Sequence, residues 1–311
     1  MKNKLKWILI FAGVLVIVLL LRSFVFTPYV IPSAGMENAL YQGDRIIVNK
    51  WSYGLRLPMK SLAKYKRWKA KPVELGDIVV FNNPGPTDQK DFDKRETFIS
   101  RCVGEPGDTL LLDTLFTIIS NWEKAGPDRK KLYAYSNEKE HIVDSLLHKL
   151  SIKNNHIMGE DNHENIRSFS HYEYYLLEQA LGDDNWIIPI HLQGEDVIRE
   201  LIVPRAGQKV RIDAWNATLY RNTIVLHEGK HAEVKDNKLI VDGEVIKDYT
   251  FTRNYYWMAS NNSVNMADSR LFGFVPEEYV IGKPSFVWFS KEPDTGLFSG
   301  IRWNRIFQKV K

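Results

Sequence analysis

The chain has 311 residues, with 42 Lys and Arg against 38 Asp and Glu and a formal charge of +4. That length allows a large core and one or two units beyond any anchor, and so small a basic excess, spread along the chain, excludes a nucleic-acid-binding polycation. A single cysteine, Cys102, excludes an internal disulfide framework.

Lys2, Lys4 and Lys6 precede an apolar run from Trp7 to Leu21; Arg22 and Ser23 interrupt it, and Phe24-Val25-Phe26 resumes it. About 20 apolar residues cross a hydrocarbon core. Trp7 to Phe26 meets that if Arg22 snorkels to the far headgroups, and Thr27-Pro28 stops the helix. The basic cluster keeps the N-terminus in the cytoplasm and sends the rest outward. A cleaved signal peptide is the alternative, with Ser33-Ala34-Gly35 as its small-residue site. That site lies well beyond the apolar run, which is itself long for a cleaved signal. The expectation is an uncleaved anchor over 1–27 and an exported domain over 28–311.

Short β-branched runs bounded by Gly, Pro, Asn or Asp come next. They are Arg45 to Lys50 after Gly43-Asp44, Ile78 to Phe81 after Gly76-Asp77, and Phe98 to Val103 before Gly104-Glu105-Pro106-Gly107-Asp108. Cys102 sits inside the last of these and reads as a buried structural thiol. From about 113 to 202 the character changes. Glu138 to Leu150 and Tyr172 to Leu181 carry apolar residues at helical spacing, and charge and Asn are dense between them. The charges of Glu123 to Lys131 read as a solvated face. This region is expected to be an inserted, partly helical lobe. Strands resume at Gln208 to Ile212, and Asp242-Gly243 marks a hairpin turn. Trp51, Tyr53, Trp68 and Phe81 read as core residues, a membrane-facing role being the other reading. The fold expectation is mainly β, an antiparallel sheet with a helical insertion behind one transmembrane helix.

Five segments, in order, resemble signal peptidase I. They are Ile31-Pro32-Ser33-Ala34-Gly35-Met36 with Leu40; Gly43 to Lys50 with Tyr53-Gly54; Gly76 to Phe81; Arg101 to Asp108; and Asp268 to Pro276. The resemblance implies a signal-peptidase-like β domain that removes signal peptides with a Ser/Lys dyad. A serine hydroxyl is a weak nucleophile and needs a base beside it. A lysine serves only when neutral, with its pKa pulled down by apolar burial. A further serine aims it, and donors hold the oxyanion.

At the positions the resemblance assigns to this chemistry the chain departs. The nucleophile position is Gly35, the base position Ser100, and the base-orienting position Met266. Ser33 matches the serine that helps bind the oxyanion. Arg101, Asp108, Asp268 and Arg270 match scaffold positions and are intact. Loss of one member of such a dyad costs on the order of a millionfold in rate, and loss of the second adds little. A relocated dyad is the alternative, with Ser33 as nucleophile. In an extended segment Ser33 would sit about 7 Å from the Gly35 position, so the attack trajectory would have to be rebuilt. Lys50, the nearest lysine in a family block, reads as a strand-end charge.

His227-Glu228-Gly229-Lys230-His231 fits the zinc-protease pattern, whose two histidines must share one helix face. Asn222 to Leu226 reads as a strand and Gly229 sits at the centre of the motif, so a hairpin or loop with two exposed histidines is expected, and no metal or other cofactor. The resemblance implies as partners the signal peptides of exported preproteins; the apolar span adds the membrane, the small charge excess argues for no nucleic acid, and pairing with an active paralogue is open to a chain without the dyad. It implies a single-pass protein of the bacterial inner membrane with its main domain outside. Three functions stand open: a signal-peptide-binding protein without proteolysis, an active peptidase with relocated residues, and a non-enzymatic membrane scaffold.

Overall fold

The computed structural model describes residues 2–56, 67–89, 91–113, 118, 130–152, 155–161, 163–190, 198–262, 267–293, 295–296 and 299–310. Lys2–Phe24 is one helix, and its segment Lys6–Phe24 has a mean hydropathy of 2.5 and lies wholly outside the protein core. Among the described residues it is the one helix long and apolar enough to cross a membrane. It ends two residues earlier than the apolar run does, because Phe26–Val30 pairs as a strand against Asp44–Asn49, with Phe26 opposite Asn49 and Val30 opposite Arg45. Three donors close its last turn. Thr27 Oγ1 donates to the Arg22 carbonyl, Lys50 Nζ to those of Arg22 and Ser23 at 3.0 Å each, and Trp51 Nε1 to that of Phe24 at 2.7 Å. Side-chain donors at a helix C-terminus satisfy orphan carbonyls, and the Lys50 cation also opposes the helix dipole.

The main sheet has seven strands, in the spatial order Phe26–Val30, Asp44–Asn49, Val280–Ser290, Ile78–Asn82, Thr97–Gly104, Tyr255–Ala259 and Val275–Pro276. Its assigned pairings are antiparallel. Ile78–Asn82 is buried along its whole length. Successive side chains of a strand point to opposite faces. Accordingly Ile78 and Val80 join a cluster with Ile31, Met36, Leu40, Ile46 and Val48, whereas Val79 and Phe81 join Tyr53, Cys102, Tyr256 and Met258. A sheet covered on both faces explains why this strand reads as a continuous β-branched run rather than an alternation.

The turns at Gly43-Asp44 and Gly107-Asp108 have local causes. Gly43 takes φ +86, and a Cβ there would collide with the Lys291 carbonyl. Asp44 behind it is fully buried and accepts from Arg305, from Ser290 Oγ and from the Tyr41 amide. Gly107 takes φ +100 and donates its amide to Val203, and Asp108 Oδ2 receives the Glu105 amide at 2.9 Å, closing the turn.

Residues 130–190 build a four-stranded sheet in the order Ile188–Pro189, Lys130–Ser136, Glu164–Ser170 and Gly159–Asp161. Two helices, Glu140–Lys149 and His171–Leu181, pack on a separate core of Tyr133, Tyr135, Val143, Leu147, Phe169, Leu177 and Ile187. The helices fall where their periodicity places them. The sheet beneath them was not anticipated by the helical reading.

Two expectations are corrected. Ala217–Thr223 is α-helix and continues as a π-helix over Ile224–Glu228, so Asn222 to Leu226 is not a strand. Ala217, Tyr220, Ile224 and His227 recur at helical spacing on the buried side, and that packing outweighs the β preference of Ile224 and Val225. Of the four aromatics assigned to the core, Tyr53 and Phe81 are buried, but Trp51 and Trp68 are exposed and meet edge to face beside the end of the long helix.

Candidate functional site

The segment after Val30 is pinned at both ends before it turns. The Ile31 amide donates to the Asp44 carbonyl and the Gly43 amide returns to that of Ile31. Ser33 is extended (φ −146, ψ 170), half-buried, and opens the short 3-10 turn Ala34–Met36 without bonding that turn through its side chain. The turn packs on the strand Thr97–Gly104. Gly35 is buried, and its carbonyl accepts the Asn262 amide at 3.0 Å. The Met36 carbonyl accepts Asn261 Nδ2 at 3.4 Å, and Asn261 Oδ1 receives Arg101 Nε at 3.1 Å. Arg101 thereby ties the turn to the strand, and its Nη1 reaches the Gly76 carbonyl at 2.9 Å.

Ser100 is fully buried in that strand, opposite Val79, and its Oγ donates to the Ala267 carbonyl at 3.4 Å. Asp268 is also fully buried. Its Oδ2 accepts the Ser260 amide at 2.8 Å and Arg270 Nη2 at 2.7 Å, and its Oδ1 accepts the Arg270 amide at 3.0 Å. Asp268 caps the helix Ser269–Phe272 and holds the 260–262 segment against Gly35. The fold therefore gathers Gly35, Ser100, Arg101, Asp268 and Arg270 in one connected region beside Ser33. Asp108 is part of the separate Gly107 turn. Met266 lies outside the described residues.

Beside the Ala34–Met36 turn, the strand Thr97–Gly104 has an edge to offer. Asn82 to Ile78 pair with Thr97 to Arg101 on one side, but on the other Tyr255–Ala259 pairs only with Arg101, Cys102 and Gly104. Thr97 to Ser100 therefore have no strand on that second side among the described residues. Such an edge accepts an extended peptide by main-chain hydrogen bonds.

One site neighbour was missed. Lys130 has no exposed surface, and its Nζ lies 3.3 Å from Glu37 Oε2 and 3.7 Å from Glu173 Oε2. Its amide donates to the Asn261 carbonyl at 2.8 Å. The reading of Glu123 to Lys131 as a solvated face fails at this residue; 123–129 lie outside the described residues. Nothing local signals the burial, since both carboxylates come from distant parts of the chain. Burial pushes the Glu37 carboxyl up from its ordinary value, against the pull of Lys130. Lys50 is not at the site: it caps the long helix, and burial followed by Arg56 and Arg22 pulls its ammonium below the usual range.

The histidine motif does not assemble. His227 is buried against the Tyr255 and Tyr279 rings, Gly229 ends the helix in the left-handed region, and His231 is exposed beyond it. The two imidazoles therefore do not share a helix face, as the pattern requires. Burial, with Arg253 and Arg95 nearby, pulls the His227 imidazole down to about 3. Cys102 is fully buried, and burial raises its thiol above the ordinary value, as befits an inert structural residue.

The family model described as signal peptidase, peptidase S26, matches residues 4–176 and 187–289. A signal peptidase I of Buchnera aphidicola subsp. Acyrthosiphon pisum is 27% identical over 98% of this chain and 82% of its own length. One from Aquifex aeolicus is 25% identical over 89% of this chain and 81% of its own length. One from Pseudomonas aeruginosa is 41% identical over 32% of each chain.

Proposed function

We propose that this chain, which belongs to the signal peptidase family, peptidase S26, binds the signal peptides of exported proteins at the membrane surface without cleaving them. The observation that carries this reading is Gly35 at the position where the family's chemistry calls for a hydroxyl, with Ser100 in place of the amine. Acyl transfer needs a nucleophile and a base that act as a unit. A glycine supplies no nucleophile, and Ser100 spends its proton on the Ala267 carbonyl. The buried amine nearest in the hydrogen-bonded network, Lys130, is engaged by Glu37 and Glu173 rather than held free as a base.

What remains supports binding. The edge of Thr97 to Ser100 is available to an added strand. Ser33 stands half-buried at the start of the turn, and in this reading it and the local backbone receive a carbonyl of the bound peptide. Arg101, Asp268 and Arg270 hold the Ala34–Met36 turn and the 260–262 segment in place beside that edge, and the groove of this reading lies between them. The proposed organisation is an anchor over 1–27 and an exported domain over 28–311, with an inserted lobe at about 113–202. Lys2, Lys4 and Lys6 ahead of the span put the N-terminus in the cytoplasm and the groove outside the bacterial inner membrane. An active paralogue is the natural partner, since a protein that holds signal peptides without cutting them changes which ones a peptidase meets.

The test is photocrosslinking. Full-length protein in detergent, carrying a photoreactive residue at Ala34, is mixed with a preprotein and with the same protein lacking its signal peptide. Adducts with the preprotein alone support the reading. Adducts with neither, or equally with both, overturn it.

A further inference from the structure

Three facts link the lobe to the Gly35 turn. The first strand of the lobe begins at Lys130, which forms a parallel bridge with Asn262, and the Asn262 amide bonds the Gly35 carbonyl. The Lys130 side chain then crosses to Glu37, two residues past Gly35. Its second partner, Glu173, lies in the first turn of the lobe helix His171–Leu181, where it completes a capping box with Ser170. One residue therefore fastens both a strand and a helix of the lobe to the turn. Gly35, Met36 and Glu37 are all buried, Met36 in the core of the main sheet and Glu37 against Lys130 of the lobe.

We propose that the lobe is a lid over the Gly35 turn, fastened by Lys130, and that a peptide reaches the groove only when this fastening opens. The proposal rests on the reading of that groove as a peptide site. The chemistry suits a fastening that releases. Two carboxyl groups and one ammonium are held together almost wholly out of water. Taking such groups out of water is costly, and their attraction repays it only in part. Opening returns all three to solvent, which offsets most of what the contact contributes. The lobe has its own core and can move without losing it.

The test uses the full chain in detergent. Gly35→Cys is introduced with Cys102→Ala, so that one thiol reports exposure of the turn. The unaltered chain, whose only thiol is buried Cys102, reports global opening. Labelling of the introduced thiol should be slow, and Lys130→Met should speed it roughly a hundredfold, as expected when a buried pair is broken. The Cys102 thiol should not follow. Fast labelling that Lys130→Met leaves unchanged overturns the lid. If the variant accelerates both thiols together it has unfolded, and hydrogen exchange on the unaltered chain decides. The Lys130 amide, bonded from the lobe to the Asn261 carbonyl, should exchange faster than those of Ile78–Asn82. Exchange at the same rate as that central strand overturns the proposal. A lid that opens in these assays while no signal peptide crosslinks in either form leaves the lid standing and sinks the peptide reading.

Discussion

Asp268→Ala should weaken the fold and loosen the groove together. Asp268 has no exposed surface and holds the Ser260 amide, the Arg270 amide and the Arg270 guanidinium, whose side chain is only 11% exposed. Truncation leaves a nearly buried cation without its carboxylate, which costs about 3–5 kcal/mol, and the helix cap lies within that figure rather than beside it. Asp268→Asn keeps the shape and one acceptor but loses the charge, so it should fall between the parent and the alanine variant. The assay is denaturant unfolding in detergent followed by tryptophan fluorescence, because Trp257 is buried in the strand that ends at Ala259, next to Ser260. Hydrogen exchange at Asn262 should accelerate in the same variants, since the 260–262 segment is what bonds Gly35 and Met36. A loss below about 1 kcal/mol for Asp268→Ala, the range of an exposed pair, would refute the claim that this carboxylate holds the groove wall.

Two further outcomes are expected. His227 is held neutral with a folded value of about 3 against 6.5 unfolded, so protons favour the unfolded chain. Its contribution is full above 6.5 and is lost as pH falls toward 3, about 2 kcal/mol of it by pH 5. Melting curves from pH 7 to pH 5 should therefore fall less steeply for His227→Phe than for the parent, and equal slopes would refute the assignment. Trp51 and Trp68 are 45% and 56% exposed at the end of the long helix and should lie in the headgroup layer. Brominated lipid should quench the parent more than Trp51→Phe/Trp68→Phe, and identical quenching would place this edge away from the bilayer.

The parts of the fold legible in the sequence were those whose cause is local. The long N-terminal helix announces itself by the apolar run Trp7 to Leu21, and Ile78 to Phe81 by β-branched residues covered on both faces. The Asp242-Gly243 turn appears as a hairpin, with both residues at positive φ. The lobe helices follow their periodicity. The helix through Asn222 to Leu226 was hidden because its local preference points to a strand, and only the burial of Tyr220, Ile224 and His227 on one side reverses that. Trp51 looked like core because its indole partner, the Phe24 carbonyl, belongs to the anchor. In the candidate site, Gly35, Ser100 and the Asp268–Arg270 pair, named from family-like motifs, lie in one connected region. Lys130 was not legible. Its burial depends on Glu37 and Glu173, neither near it in the chain, and a lysine in a charged run is ordinarily a surface residue.

Whether the region around Gly35 can cut a peptide bond separates a binding protein from a peptidase. Purified full-length protein incubated with a radiolabelled preprotein in detergent, beside a buffer blank, gives the answer directly. Processing no faster than the blank is the predicted result, because nothing at Gly35 can attack and nothing at Ser100 can take the proton. Release of a correctly sized mature product, abolished by Ser33→Ala, would contradict it and restore the chain to the working peptidases.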